Sequence, residues 1–402
     1  MTYNPIAMRL LFVADGRSPI AQNWIRYFVE RGDEVYLAST FASPMVADFP
    51  LNGLEIIPVA FSSFKKETQR PGTASARTLG LRTVIRRWLG PLTIRHAADR
   101  LRGFIERVKP DLVHAMRIPY EGMMSAVALR SPRRGSGGAA ADEPPLIVST
   151  WGNDFTWHAP STLWMSYYTR RAMQFADALH ADCQRDVRLA REWGFGERKP
   201  ALVAPGNGGI RSDIFYPAAK PVEAPVIINP RGFRPYVCNE AFFRAIPIVL
   251  KKQPNARFVF ALMAGESQAI HWTQELNLGQ AVELLPPLSH FQMANMYRRA
   301  QVVASPSIHD GTPNTLLEGM ACGCFPVAGD LESIREWITP GENGLLFDPT
   351  DSQSTAEAIV SAIVNKDLRQ KAAGLNQNII AARAKYRQNM QRVEEFYTQV
   401  VT

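Results

Sequence analysis

No Gly-x-Gly-x-x-Gly follows the first apolar run of this sequence, and no Asp-x-Asp occurs anywhere in it. The first absence weakens a dinucleotide site, because those glycines let backbone approach a pyrophosphate. The second leaves a metal-clamped diphosphate without its carboxylate pair. Cysteine is scarce: Cys183, Cys238, Cys322 and Cys324 are the only four in 402 residues, too few for a disulfide framework. Cys322-Gly-Cys324 has no second Cys or His pair to complete a zinc site and reads as small residues at a helix end. No metal is expected. No apolar run reaches the roughly 18 residues of a membrane span. The start of the chain lacks a basic segment followed by an apolar core, so cytoplasmic residence is the expectation. No zinc-finger or RRM-like pattern supports nucleic acid as a partner.

What is present is an ordinary globular composition, 46% hydrophobic and 20% charged, long enough for two or more domains. Charge is uneven. Residues 1–205 carry a net +8 and residues 206–402 a net zero. Within the first half, residues 65–109 hold 12 basic and three acidic residues. There Leu81, Val84, Ile85, Trp88 and Leu89 alternate with Arg82, Arg86 and Arg87. Such a basic amphipathic segment either lies on an anionic membrane or acceptor, or packs its apolar stripe on its own domain.

The pattern along the chain is βαβ. Arg9 to Asp15 reads as a buried strand, Gly16-Arg17-Ser18 as a turn, Ile20 to Arg31 as an amphipathic helix and Glu34 to Ser39 as a second strand. Further strands are expected at Ile56–Ala60, Asp111–Ala115 and Leu146–Thr150. His114 reads as packed within its strand. Residues 131–145, rich in Gly, Ala, Pro and Arg, read as a surface loop. Proline-rich 217–225 marks a domain boundary. The second half repeats the alternation, with strands at Val226–Asn229, Arg257–Leu262 and Val282–Leu285, and Gln377–Val400 is helical by composition.

Residues 302–330, VVASPSIHDGTPNTLLEGMACGCFPVAGD, organise the second half. Val302 to Ala304 reads as a strand and Ser305 to Gly311 as a loop. Thr312 is expected to cap a helix with Pro313 in its first turn, and Gly323 to end it in a left-handed conformation. The amides of Asn314, Thr315 and Leu316 would face out of the helix start, where oxygen-rich and anionic ligands are favoured. Asp310 and Glu318 flank those amides. Two carboxylates for sugar hydroxyls and several N–H donors would share one site. An acidic first turn with no ligand has the same appearance.

The wording goes further than the spacing. Asp310, seven residues, then Glu318, framed by Ser305-Pro306-Ser307 and by Leu317-Glu318-Gly319-Met320-Ala321-Cys322-Gly323, resembles the E-x7-E signature of retaining GT-B glycosyltransferases of family four (glycosyl transferases group 1). Asn343 to Pro349, Asp111 to Ala115 and Leu202 to Ile210 resemble other segments of that family, and the likeness covers nearly the whole chain. It implies an α/β fold of two Rossmann-like domains with a cleft between them: an acceptor-side domain at 1–216, a nucleotide-sugar domain at 217–385, and a last helix, 386–402, that crosses back. It implies no cofactor beyond the nucleotide-diphosphate sugar as substrate.

Site residues follow from the same resemblance. Glu318 would hold the donor ribose, and Asp310 the donor sugar, with Gly311, Thr312, Asn314 and Thr315 beside it. Arg231 would neutralise the diphosphate. Gly16 and Gly265 occupy the family's glycine turns. Three positions depart from the pattern. Asp310 replaces Glu. Tyr236 falls near an expected Lys, so Arg234 is either the substitute cation or an exposed loop arginine. Trp151 takes the place of a His, leaving Asp154 and His158 as the local contacts to the reacting groups; Asp154 can otherwise be a turn cap. The implied partners are a nucleotide-sugar donor and an unidentified acceptor, anionic or lipid-linked, with peripheral contact at the inner membrane face through 65–109. A non-catalytic nucleotide-sugar-binding scaffold and another GT-B enzyme such as an epimerase stay open.

Overall fold

The computed structural model describes residues 7–42, 50–60, 62, 86–130, 143–220 and 222–402. Much of the basic segment, 63–85, and most of the Gly/Arg-rich loop, 131–142, lie outside them. The chain divides into two compact units. Among the described residues the first holds those up to Gly208 together with Gln388–Thr402, and the second holds Gly209–Arg387. The division falls in a Gly208-Gly209 pair, both at positive φ (82° and 116°), eight residues before the proline-rich stretch.

The first unit is built on a parallel sheet of β1 (Arg9–Ala14), β2 (Glu34–Ser39), β3 (Gly53–Ile56), β4 (Leu112–Ala115), β5 (Leu146–Thr150), β6 (Ala178–Ala181) and β7 (Ala201–Val203), in the order 3-2-1-4-5-6-7. The third strand lies earlier than the expected Ile56–Ala60. Asn52 fixes that register by accepting from Val35 N at 2.8 Å. Past Ile56 the chain turns away, and Ala60 adopts a left-handed φ of 52°. Strands buried on both faces, such as Leu10 to Ala14, read as unbroken apolar runs.

The last helix, Tyr386–Val401, joins this unit through a buried chain of hydrogen bonds. His180 Nε2 donates to Ala204 O at 3.0 Å, so its Nδ1 must accept, and Ser149 Oγ donates to it at 2.9 Å. Ser149 Oγ in turn accepts from His114 Nε2 at 2.8 Å, and His114 Nδ1 accepts from the Tyr397 hydroxyl. Trp24 Nε1 completes the run by donating to Tyr397 at 2.9 Å. Only neutral histidines satisfy every partner. Burial lowers both pKa values, that of His180 to about 4. At the rim Arg31 pairs with Glu394 at 2.8 Å. The helical tail is thus two helices, Lys366–Arg383 and Tyr386–Val401, assigned to different units.

The second unit repeats the design with β8 (Val226–Asn229), β9 (Arg257–Phe260), β10 (Val282–Leu284), β11 (Val302–Ser305), β12 (Phe325–Gly329) and β13 (Leu345–Phe347), all parallel in the order 10-9-8-11-12-13. Successive residues point to opposite faces. Ile227, Phe258 and Val302 enter one core with the helix Asn239–Lys252. Ile228, Val259 and Val303 enter the other with Leu316, Leu317 and Met320. Both sheets reverse strand order beside their first strand. At such a switch point two loops diverge from the carboxyl ends of neighbouring strands and leave room for a ligand.

Candidate donor site at the switch point of the second sheet

β8 and β11 flank the switch point, and the loops that follow them carry the chemistry. At the end of β8, Asn229 Oδ1 accepts from Arg231 N at 3.0 Å, a local turn that directs the arginine. The loop continues through Gly232, at φ 63°. It is then pinned to the loop after β11, where Cys238 N donates to Pro306 O at 2.8 Å and Ile308 N to Tyr236 O at 3.0 Å. Across this seam Arg231 Nη2 meets Asp310 Oδ2 at 2.5 Å, and Arg231 Nη1 reaches Thr315 Oγ1 at 3.4 Å.

The helix Asn314–Ala321 begins beside that pair. Its cap differs from the sequence expectation. Pro313 holds the cap position at φ −70° and ψ 108°, with no side-chain cap. Thr312 is drawn away because its Oγ1 accepts from Trp337 Nε1 at 2.9 Å. Leu316 N also donates to Pro313 O at 2.9 Å, which leaves the amides of Asn314 and Thr315, not three amides, without acceptors among the described residues. Gly323 is left-handed at φ 91°.

Gly319 sets the depth of this helix. A Cβ there would lie 2.7 Å from Val303 Cγ1, so only glycine lets the helix press onto β11. Its neighbour Glu318 is consequently buried, 7% exposed, and accepts from the Tyr297 hydroxyl at 3.4 Å. Burial lifts the Glu318 pKa to about 8, against the opposing effect of the tyrosine hydrogen bond. At neutral pH this carboxyl is largely protonated.

Several polar atoms in this corner are buried with no partner among the described residues: Asn229 Nδ2, Arg231 Nε, Ser305 Oγ, Ser307 Oγ, Asn239 Oδ1 and Asn314 Oδ1. Each such atom costs about 1–3 kcal/mol if nothing meets it. Donors and acceptors are mixed, which suits a ligand bearing both hydroxyls and anionic oxygens. Of these residues Asn229, Ser305, Ser307 and Asn239, and likewise Tyr297 and Trp337, were not among the sequence candidates. The signal for Asn229 is a polar residue closing an apolar strand.

The other candidates are distributed as follows. Gly311 is buried in the loop with Asp310. Arg234 is exposed and makes no side-chain hydrogen bond or ion pair to a described residue. Gly265 is left-handed at φ 82°, with open space where a side chain would be. In the first unit, Gly16 N donates to Ser39 Oγ at 3.1 Å. Asp154 is 1% exposed. Its carboxylate pairs with Arg117 Nε at 2.9 Å and accepts from the amides of Trp151 (3.1 Å) and Ile118 (3.3 Å). Burial raises its pKa in spite of the arginine. Asp154 therefore braces the turns after β4 and β5 and offers no open oxygen. His158 is half-buried, its ring 5.2 Å from that of Trp157. Asp182, Cys183 and Asp186 approach within 4.8 Å of one another, but Arg185 pairs with Asp186 at 2.7 Å and supplies the positive charge itself.

Two parallel Rossmann-like sheets, each with a switch point, define the GT-B class of folds. The family model for glycosyl transferases group 1 matches residues 211–377, and that for the glycosyl transferase 4-like domain matches residues 16–206. Together they span most of the chain, which belongs to the group 1 glycosyltransferase family. A D-inositol 3-phosphate glycosyltransferase of Thermobispora bispora is 26% identical over 251 residues, 58% of each chain. EpsD of Bacillus subtilis, named as a glycosyltransferase, is 26% identical over 68% of this chain and 72% of its own. The chain spans 58% and 47% of the length of the first two inositol-phosphate relatives. Among solved structures, a sucrose-phosphate synthase of Thermosynechococcus elongatus aligns with a TM-score of 0.73 at 14% identity, covering 98% and 99% of the two chains. HepE of Anabaena, solved with UDP and glucose, aligns at 0.70 and 16% identity, covering 98% of this chain and 100% of its own.

Proposed function

We propose that this chain is a retaining glycosyltransferase that moves a sugar from a nucleoside diphosphate sugar to an acceptor hydroxyl. The observation that carries the reading is the corner where Arg231, Asp310 and Glu318 meet a set of unsatisfied buried polar atoms. In this reading the donor diphosphate takes Arg231, which can grip two of its oxygens at once. Asp310, released from the ion pair, accepts from the sugar hydroxyls. Glu318 accepts from the ribose, and the Asn314 and Thr315 amides donate to donor oxygens at the helix start.

Arg231 then stabilises negative charge as it builds on the leaving phosphate, an interaction that strengthens toward the transition state. The acceptor oxygen bonds to the anomeric carbon on the face the phosphate leaves. The carbon–oxygen bond to the phosphate breaks, and the acceptor proton ends on that phosphate. No enzyme nucleophile is required, which is compatible with Asp154 being fully engaged. UDP-sugars are the first donors to try, since HepE was solved with UDP-glucose.

The acceptor side falls to the first unit. Peripheral contact with the inner membrane face, read from 65–109, has support in Trp88 (60% exposed) and Leu92 (65% exposed). No described helix is long and apolar enough to cross a membrane. Assembly of polysaccharide or glycolipid is the proposed setting. The test is Arg231→Ala with the donor that turns over: kcat should fall about a hundredfold or more, as for loss of a group acting on developing charge. Proton NMR of the product gives the anomeric configuration. Wild-type activity in the variant, or an inverted product, would overturn the assignment.

A further inference from the structure

Around Tyr120 in the first unit, the unmet polar atoms are of one kind. Arg86 Nε, Arg87 Nε, Arg87 Nη2 and Trp151 Nε1 are buried without a partner among the described residues, and all four are N–H donors. This contrasts with the mixed set in the second unit. A group of donors with no unmet acceptor among them calls for a ligand that brings only acceptors.

The charges agree. Arg17 and Arg117 of this edge are neutralised, by Asp15 at 2.8 Å and Asp154 at 2.9 Å. Arg86 and Arg87 form no ion pair with a described residue. They lie against rings instead: the Arg86 Cζ is 4.6 Å from the Tyr120 centroid, and the Arg87 Cζ is 4.1 Å from that of Trp157. Glu121, on which Arg86 acts electrostatically, is raised to about 7 by burial and so is a weak counter-ion at neutral pH. Arg87, Arg117 and Arg86 all act electrostatically on Tyr120, which places the surplus charge in one neighbourhood.

The neighbourhood is also held in place. Tyr120 OH donates to Arg86 O at 2.7 Å, and Thr162 Oγ1 donates to Arg87 O at 3.4 Å. Tyr120 itself adopts φ 70° and ψ −56°, a conformation that is costly for a non-glycine residue and persists only where the surroundings impose it. The turn follows β4, and Trp151 follows β5. Both sit at the carboxyl edge of the first sheet, where open parallel sheets bind ligands.

We propose that Arg86 and Arg87, with Trp151 Nε1, form a binding site for an oxyanion, a phosphate group carried by the acceptor. That the phosphate belongs to an acceptor rests on the glycosyltransferase reading; the anion site itself does not. Guanidinium forks and an indole N–H supply the donors that a phosphate group accepts from, and Arg87 can bind two oxygens together.

The test uses the full chain, titrated calorimetrically with inorganic phosphate and with glycerol 3-phosphate, at ionic strength held constant with chloride. Glycerol is the uncharged control. Wild type is compared with Arg87→Ala, Arg87→Lys and Arg231→Ala, the last removing the cation of the proposed donor site. The expected result is binding of both phosphates and not of glycerol. It should be retained in Arg231→Ala, weakened about tenfold or more in Arg87→Ala, and intermediate in Arg87→Lys. Should Arg87→Ala not fold, Trp151→Phe removes one donor without altering charge and must also weaken phosphate. A parallel arm compares vesicles containing phosphatidic acid with vesicles of phosphatidylcholine alone. Capture only by phosphatidic acid assigns a lipid headgroup, and capture of glycerol 3-phosphate assigns a soluble phosphate; each supports the oxyanion site. Phosphate affinity unchanged in Arg87→Ala, or lost only in Arg231→Ala, would overturn it, as would no affinity for any phosphate. If nucleotide sugars fail to bind while Arg87-dependent phosphate binding persists, the donor assignment fails and this site stands.

Discussion

Glu318 couples the site to pH. Its carboxyl, pushed to about 8 by burial, titrates near 4.3 in an unfolded chain. Between those values the folded protein holds a proton that the unfolded chain releases, so this residue's contribution to stability is full at low pH and declines as pH rises toward 8. Glu318→Gln removes that decline. Melting temperatures from pH 5 to pH 8.5 should therefore fall less steeply in the variant than in wild type; parallel curves would refute the burial argument. Gly319→Ala probes the next residue. The added methyl would meet Val303 at 2.7 Å and must lift the helix from β11. We expect a loss of about 1–3 kcal/mol in denaturant unfolding, typical of overpacking, together with weaker donor binding as Glu318 shifts.

At the scale of elements, the C-terminal helix depends on a polar chain inside an apolar core. Tyr397→Phe keeps the ring stacked on Phe28 at 4.9 Å but removes the hydroxyl that serves Trp24 and His114. Two buried groups lose their partner, and unfolding should cost about 1–3 kcal/mol less. The same chain is sensitive to acid. Its histidines are neutral when folded, so the stability they contribute is present above about 6.5 and is lost as pH falls toward the lowered value of His180, about 4. His180→Gln keeps a donor and an acceptor and should flatten that loss in urea titrations at pH 7 and pH 4.5.

Alternating strands and helices were legible because buried parallel strands are continuous apolar runs, as at Leu10 to Ala14 and Val226 to Ile228. That Asp310 and Glu318 flank one helix start was legible from their spacing; the donor role proposed for them came from the family resemblance. The Arg231–Asp310 ion pair was not, since it joins loops 79 residues apart that come together only when β8 pairs with β11. The Thr312 cap failed for a similar reason: Trp337, distant in sequence, competes for its hydroxyl. Asp154, read as a contact to the reacting groups or as a turn cap, is buried and paired with Arg117, a contact across 37 residues that the local pattern does not show.

For the whole molecule, the two units carry contrasting chemistry on the same sheet design. The second is close to neutral, with 17 basic and 16 acidic residues in Gly209–Arg387, and gathers a mixed set of donors and acceptors beside two carboxyls. The first is basic, and around Tyr120 the polar atoms without a partner among the described residues are N–H donors. In the proposed reading, a donor rich in hydroxyls and an acceptor carrying a phosphate would account for that division. The central claim is that the corner of Arg231, Asp310 and Glu318 binds a nucleotide sugar. Its most direct test is a thermal-shift screen of wild type and Glu318→Gln against UDP-, GDP-, ADP- and dTDP-sugars. A ligand bound only by the folded state adds about 2.7 kcal/mol of stability at a hundredfold excess over its Kd. The account predicts that sugars of one base raise the wild-type melting temperature and leave that of Glu318→Gln unchanged. An equal shift in the variant, or none in wild type with any donor, would contradict it.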